Sequence, residues 1–217
     1  MRPFIALIAL TVPLAAQPGP VVISELMWSG SSASSADEWI ELYNRSDSTI
    51  DLSGWTITRQ DGDDDSVMLV LKNATIASGQ TFLIANYPAD HEKSQLAIQP
   101  QYVDPAISLP NTKLLVRLYD GDPQTGATLI DLADDGRGAP FAGDAALKHA
   151  MVRTAFDQRG DQRDSWATAS EQSGWDPAAD ARGTPGSIPN YLLSRQGSRS
   201  TLIESTSWAV LKTNLPH

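Results

Sequence analysis

The chain has no cysteine in its 217 residues. Thiolate zinc centres, iron-sulfur clusters, thiol nucleophiles and disulfide staples are therefore excluded, although export without disulfides remains open. Histidine is almost as scarce, with only His91, His149 and His217, scattered along the chain. "HEKSQ" starts at His91 like a zincin helix but has Gln95 where the second histidine belongs, so the two-ligand face fails. Neither a G-x-S-x-G elbow nor a Gly-Lys-Ser/Thr phosphate loop occurs, which removes the commonest hydrolase and nucleotide signals. No sustained helical period is present, and no run approaches the ~20 apolar residues of a spanning helix.

Positive charge is also in short supply: 16 Lys and Arg face 26 Asp and Glu, for a net charge of -10. Arg2 accounts for +1, and Arg195, Arg199 and Lys212 against Glu204 for +2, so the stretch between carries -13. Such a field repels phosphate backbones, and unassisted nucleic-acid binding is disfavoured.

What the sequence does contain is organised. Residues 1–20, "MRPFIALIALTVPLAAQPGP", place Arg2 before an apolar run from Phe4 to Leu14 and small residues at Ala15 and Ala16. This pattern predicts a secretory signal peptide and a mature chain outside the cytoplasm. Short β-rich runs follow: "VVISELMW", "EWIELYN", "WTIT", "VMLVL", "QTFLIAN", "KLLVRLYD", "TLIDLAD" and "AMVRT". Turns rich in Gly, Asp and Pro separate them, the signature of an all-β sandwich or barrel.

In "EWIELYN", Ile40 and Leu42 point to one face, and Trp39, Glu41 and Tyr43 to the other. The aliphatic side reads as core, and Glu41 as part of a partly solvated face. Trp55 and Ile57 form the core side of the next strand. The loop from Ser29 to Asp37 reads as flexible and surface-lying, and residues 86–109 as a long excursion without a strand. From Phe156 to Asn190 the chain is polar, with Trp166 and Trp175 as isolated anchors. Residues 191–217 differ in charge and read as a docking strand or a disordered tail.

Glu38 and Glu41 invite an acid/base reading, but three residues of extended chain span about 10 Å and odd spacing sends the side chains to opposite faces. Asp61, Asp63 and Asp65 in "QDGDDDS" alternate as oxygen ligands do in calcium loops, with Asp131, Asp134 or Asp135 as helpers from another loop. An EF-hand is absent, since its Gly and Glu positions hold Ser66 and Lys72. Turn chemistry alone also selects Asp and Gly at a hairpin tip. Trp28, beside the Ser-rich loop, is the candidate for stacking on a ligand; its alternative is a buried sandwich tryptophan. No catalytic residue is assigned.

Taken in order, "VVISELMW", "EWIELYNRSDSTIDLSGWTI", "TIASGQTFLIAN", "LLVRLYDGD", "TLIDLA", "MVR", Trp166 and "GTPGSIPN" resemble the lamin-tail domain family over residues 21–190. The resemblance, to the secreted bacterial type, implies an immunoglobulin-like β-sandwich. It also implies a non-enzymatic binding or adhesion module that recognises an extracellular or envelope polymer or protein. The alternatives are a calcium-assisted extracellular hydrolase or nuclease, and a structural subunit assembling through residues 191–217.

Overall fold

A computed structural model describes residues 18–62, 64–190 and 192. Residues 1–17 of the signal-peptide reading and all but one residue of the tail lie outside these. Twelve strands run in chain order among the described residues: β1 (Val21–Met27), β2 (Trp39–Asn44), β3 (Ile50–Asp51), β4 (Thr56–Asp61), β5 (Asp64–Val70), β6 (Thr75–Ile76), β7 (Thr81–Ala85), β8 (Tyr102–Val103), β9 (Val116–Tyr119), β10 (Leu129–Ala133), β11 (Met151–Arg153) and β12 (Trp166–Thr168). They form a six-stranded sheet ordered β12-β11-β1-β2-β7-β8, a four-stranded sheet ordered β10-β9-β4-β5, and the small β3-β6 ladder.

The two large sheets pack over one core. Ile23, Leu26, Ile40, Leu42 and Ile84 come from the first, and Ile57, Leu69, Val116 and Leu118 from the second; Trp28, Trp55 and Trp166 lie among them. Ile40, Leu42, Trp55 and Ile57 thus face the core as their two-residue period predicts. A register shift between Ile23 and Glu25 marks a bulge in β1, so Leu26 returns to the core face that Ile23 occupies.

The other face of the six-stranded sheet departs from expectation. Trp39, Glu41 and Tyr43 are buried, Glu41 completely, where a partly solvated surface was expected. The cover is irregular chain from Ala169 to Leu192. Trp175, Ala179 and Ala181 pack with Met27, Trp39, Leu83 and Val152 at one end. Ile188 and Leu192 join Val22, Tyr43 and Phe156 at the other. Tyr43 stacks on Phe156 with ring centroids 4.5 Å apart. This strap makes the molecule three layers deep over β1 and β2.

Two loops also differ from their sequence reading. The Ser29 to Asp37 loop is tucked in at both ends: Ser29, Ser31 and Asp37 are buried, and Asp37 accepts a 2.9 Å hydrogen bond from the Gln95 amide. The 86–109 excursion contains β8, which adds a parallel edge to β7.

Candidate functional site

β1 and β2 pair with Glu25 opposite Glu41. Both side chains point away from the sandwich core, and both are fully buried beneath the strap. Each carboxyl has a partner on the chain that covers it. Glu25 accepts from the Thr184 amide at 3.1 Å and the Thr184 hydroxyl at 2.8 Å. Glu41 accepts from the Gly186 amide at 2.5 Å, and from the hydroxyl of Ser24 at 3.4 Å. Two carboxyls therefore do sit side by side, but the pair is Glu25 with Glu41 and not Glu38 with Glu41. Glu38 leaves by the opposite face and accepts from the Leu109 amide at 2.9 Å.

Burial disfavours the ionised form of each. It pushes Glu25 up to about 8 against the pull of the Thr184 donors, with Glu171 adding a further upward push. Glu41 is held well above the usual carboxylate range, first by burial and then by the neighbouring Glu25. Burial raises Glu38 to about 7, opposed by the Leu109 amide. Raised carboxyls in an open cleft would suggest proton transfer. Here the strap occupies the space a substrate would need: a Cβ placed on Gly183, at φ +155°, would lie 2.6 Å from a Glu25 oxygen. The chemistry available to the pair is retention of the strap.

A second buried charge centre joins the two sheets. Arg153 on β11 donates to Asp131 on β10 at 2.6 Å, to the Ile23 carbonyl at 3.1 Å and to the Gln158 carbonyl at 2.5 Å. Asp131 also accepts from the Ile23 amide at 2.8 Å, and the guanidinium lies 5.2 Å from the Trp166 ring centre. Burial raises the Asp131 pKa, while Arg153 and the Ile23 amide pull it back. This places Asp131 inside the fold, as a structural anion out of reach of any loop-borne cation.

The open end of the four-stranded sheet is different. The β4–β5 hairpin and the chain around Pro110 to Lys113 enclose a groove of about 250 Å³, lined by Arg59, Gln60, Asp61, Gly62, Pro110, Thr112 and Lys113. Lys113 is exposed at φ 54°, its amide bound to the Gly138 carbonyl at 2.6 Å. Arg59 donates to the Ser108 carbonyl at 2.6 Å. Two cations, one carboxylate and a primary amide thus line one concave surface. It offers polar recognition and holds neither histidine nor a pair of carboxylates.

The sequence candidates fall as follows. Asp61 borders the groove, and Asp63 lies outside the described residues. Asp65 points elsewhere, pairing with Arg117 at 2.9 Å and accepting from the Tyr119 hydroxyl at 3.4 Å. Among the described residues, no group of three or more His, Cys, Asp or Glu is arranged to hold a metal ion. Asp134 is buried and accepts from the Phe141 amide at 2.6 Å. Trp28 is a core residue whose indole donates to the Ala142 carbonyl at 3.0 Å, so its ring face is unavailable for stacking on a ligand. Sequence reasoning missed Glu25, Arg59 and Lys113. Glu25 carried a signal, as an acid within the apolar run "VVISELMW".

The model of the Lamin Tail Domain family matches residues 15–136. The chain belongs to the lamin tail domain family. The matched stretch ends after β10, so the lamin tail domain match includes β1 to β10 and the hairpin groove. β11, β12 and the strap follow it in sequence, and β11 pairs directly with β1 of the matched region. A search of curated proteins finds no match. The immunoglobulin-like sandwich of two facing sheets agrees with that membership.

Proposed function

We propose that this lamin tail domain protein acts outside the cytoplasm as a non-enzymatic binding module, engaging a polar polymer or protein of the cell envelope through the hairpin-end groove. The observation that carries this reading is the groove's lining: Arg59 and Lys113 present cationic donors beside Asp61 and Gln60 on a concave surface where the end of β4 meets the Pro110 to Lys113 loop. Binding residues concentrate on loops held by a rigid scaffold. The hydrolase alternative needs convergent carboxylates with an open position. The raised carboxyls Glu25 and Glu41 are buried in hydrogen bonds to the strap instead.

The test is a pull-down of the protein against fractionated envelope, polysaccharide and DNA, each with calcium and with chelator. Retention on an envelope or polysaccharide fraction, weakened at least tenfold in Arg59→Ala/Lys113→Ala, is the expected result. Equal retention of parent and variant would remove the groove from the reading. Chelator-sensitive hydrolysis of any fraction would replace binding with catalysis.

A further inference from the structure

The cations of this acidic chain are mostly committed to the fold. Arg117, Arg153 and Arg159 sit in ion pairs with Asp65, Asp131 and Asp161. Lys148 and Arg163 donate to the carbonyls of Ser29 and Phe141. The hairpin-end groove differs. Arg59 and Lys113 supply +2 to its lining and Asp61 supplies -1, so the surface carries +1. The Lys113 ammonium is exposed and forms no ion pair with a described residue.

Arg59 is held in place but not used up. Its Nη1 donates to the Ser108 carbonyl at 2.6 Å, while Nε and Nη2 meet no described acceptor. The edge carrying Nε and Nη2 is a planar fork, the shape that takes a carboxylate through two parallel bonds. The nearby Glu38 is buried, and burial raises it to about 7 while Arg59 pulls it back, so at pH 6 it is mostly uncharged and leaves the guanidinium unmatched.

The rest of the groove is built rather than loose. The Gln60 amide donates to the Gly62 carbonyl at 2.9 Å, and its other side abuts Gly136, where a Cβ would lie 1.9 Å from the Gln60 oxygen. Gly136 in turn donates to the Leu114 carbonyl at 3.0 Å, and Lys113 to that of Gly138 at 2.6 Å. Two loops and the end of β4 are thereby tied together before any ligand arrives, which lowers the ordering cost of binding.

The lining also says what the ligand is not. Pro110 is its one apolar residue and no described aromatic ring faces it, so it offers no seat for the apolar anchors of a peptide and no platform for an uncharged sugar ring. A densely charged polyanion would have to pass Asp61 and Asp64, both exposed at the hairpin. A single negative charge balances the +1, and Asp61 and the Thr112 hydroxyl remain to bond hydroxyl groups. At about 250 Å³ the groove is smaller than the roughly 300–1,000 Å³ of drug-sized pockets, and admits one or two units of a polymer.

We propose that the hairpin-end groove binds a glycan bearing carboxylate sugars, with the carboxylate on the free edge of Arg59 and the Lys113 ammonium, and the ring hydroxyls on Asp61 and Thr112. This assignment rests on the groove being the binding surface of the proposed function and adds the chemistry of its ligand.

Isothermal titration of the full chain at pH 6 tests it, with trigalacturonate, its methyl ester and a glycerol phosphate oligomer as probes. Trigalacturonate should bind, and its uncharged methyl ester at least about tenfold more weakly, the scale of one charge-assisted bond. Arg59→Ala and Lys113→Gln should each cause a similar loss, while Lys72→Gln, which removes an exposed cation elsewhere, should leave affinity unchanged. Equal binding of acid and ester overturns the proposal, as does an equal loss in Lys72→Gln, which reduces it to net charge. A glycerol phosphate oligomer that binds as tightly as trigalacturonate overturns the carboxylate assignment. Silence toward trigalacturonate, with envelope retention still dependent on Arg59 and Lys113, overturns the ligand class and leaves the groove reading standing. Retention that ignores both residues removes the groove and this proposal together.

Discussion

Raising the pH from 5 to 7.5 should loosen the strap that covers β1 and β2. Glu25 has an ordinary value of 4.5 when exposed and about 8 when buried. Below 4.5 both the closed and the opened strap carry the protonated acid, and closure is at full strength. Between those values the closed form holds a proton that the opened form releases, so closure weakens as pH rises. Each pH unit in this window removes about 1.4 kcal/mol per carboxyl. From pH 5 to 7.5 Glu25 alone accounts for roughly 3 kcal/mol, or more than a hundredfold in the opening equilibrium. Glu41 is displaced in the same direction and steepens the loss. Glu171 is the other charged group that bears on Glu25, and its effect has the same sign. Trp175, Ala181 and Ile188 keep their apolar contacts throughout, so the strap remains seated while its protection declines.

Amide hydrogen exchange reads this directly, because the Thr184 and Gly186 amides donate to the two carboxyls. Protection factors, corrected for intrinsic exchange, should fall by two orders of magnitude or more across the window. Glu25→Gln should flatten the profile in part, and Glu25→Gln/Glu41→Gln almost entirely. Protection that stays constant from pH 5 to 7.5, or a double variant as steep as the parent, would refute the reasoning.

Asp131→Ala leaves Arg153 buried without its carboxylate and breaks the bond to the Ile23 amide; denaturant unfolding should show a loss of about 3–5 kcal/mol. Asp65→Asn removes a partly exposed ion pair with Arg117, and the same measurement should register no more than about 1 kcal/mol.

The strands were legible where one face is apolar and the other is not. "WTIT" and "KLLVRLYD" alternate; Trp55 and Ile57 reach the core as read, and Leu114, Val116 and Leu118 of the second run join them there. The two-residue strands β3, β6 and β8 carry too little period to be seen. In β2 the alternation correctly said which residues share a face and misled about solvent, because period two cannot report whether a face is covered. The cover comes from 169–192, irregular chain whose contacts are single side chains such as Trp175 and Ile188, and no periodicity announces them. Trp39 and Tyr43 beside Glu41 were the available hint, since two large aromatics seldom line a wet face. Glu25 and Glu41 become neighbours through strand register, and their shared lid lies 159 residues from Glu25 in one case and 145 from Glu41 in the other. The groove is likewise a meeting of Arg59 with Lys113 through loop geometry that local sequence does not encode.

The central position of β1 also has a kinetic meaning. Its first neighbour, β2, is available as soon as it is made, but its second, β11, and the donors for Glu25 arrive more than a hundred residues later. Synthesised from the amino terminus, the chain must carry an unpaired strand edge and a bare apolar face until its last third appears. Long loops of this kind close slowly and leave nascent chains open to mispairing. The strap is therefore the step that ends the chain's period of greatest exposure to aggregation.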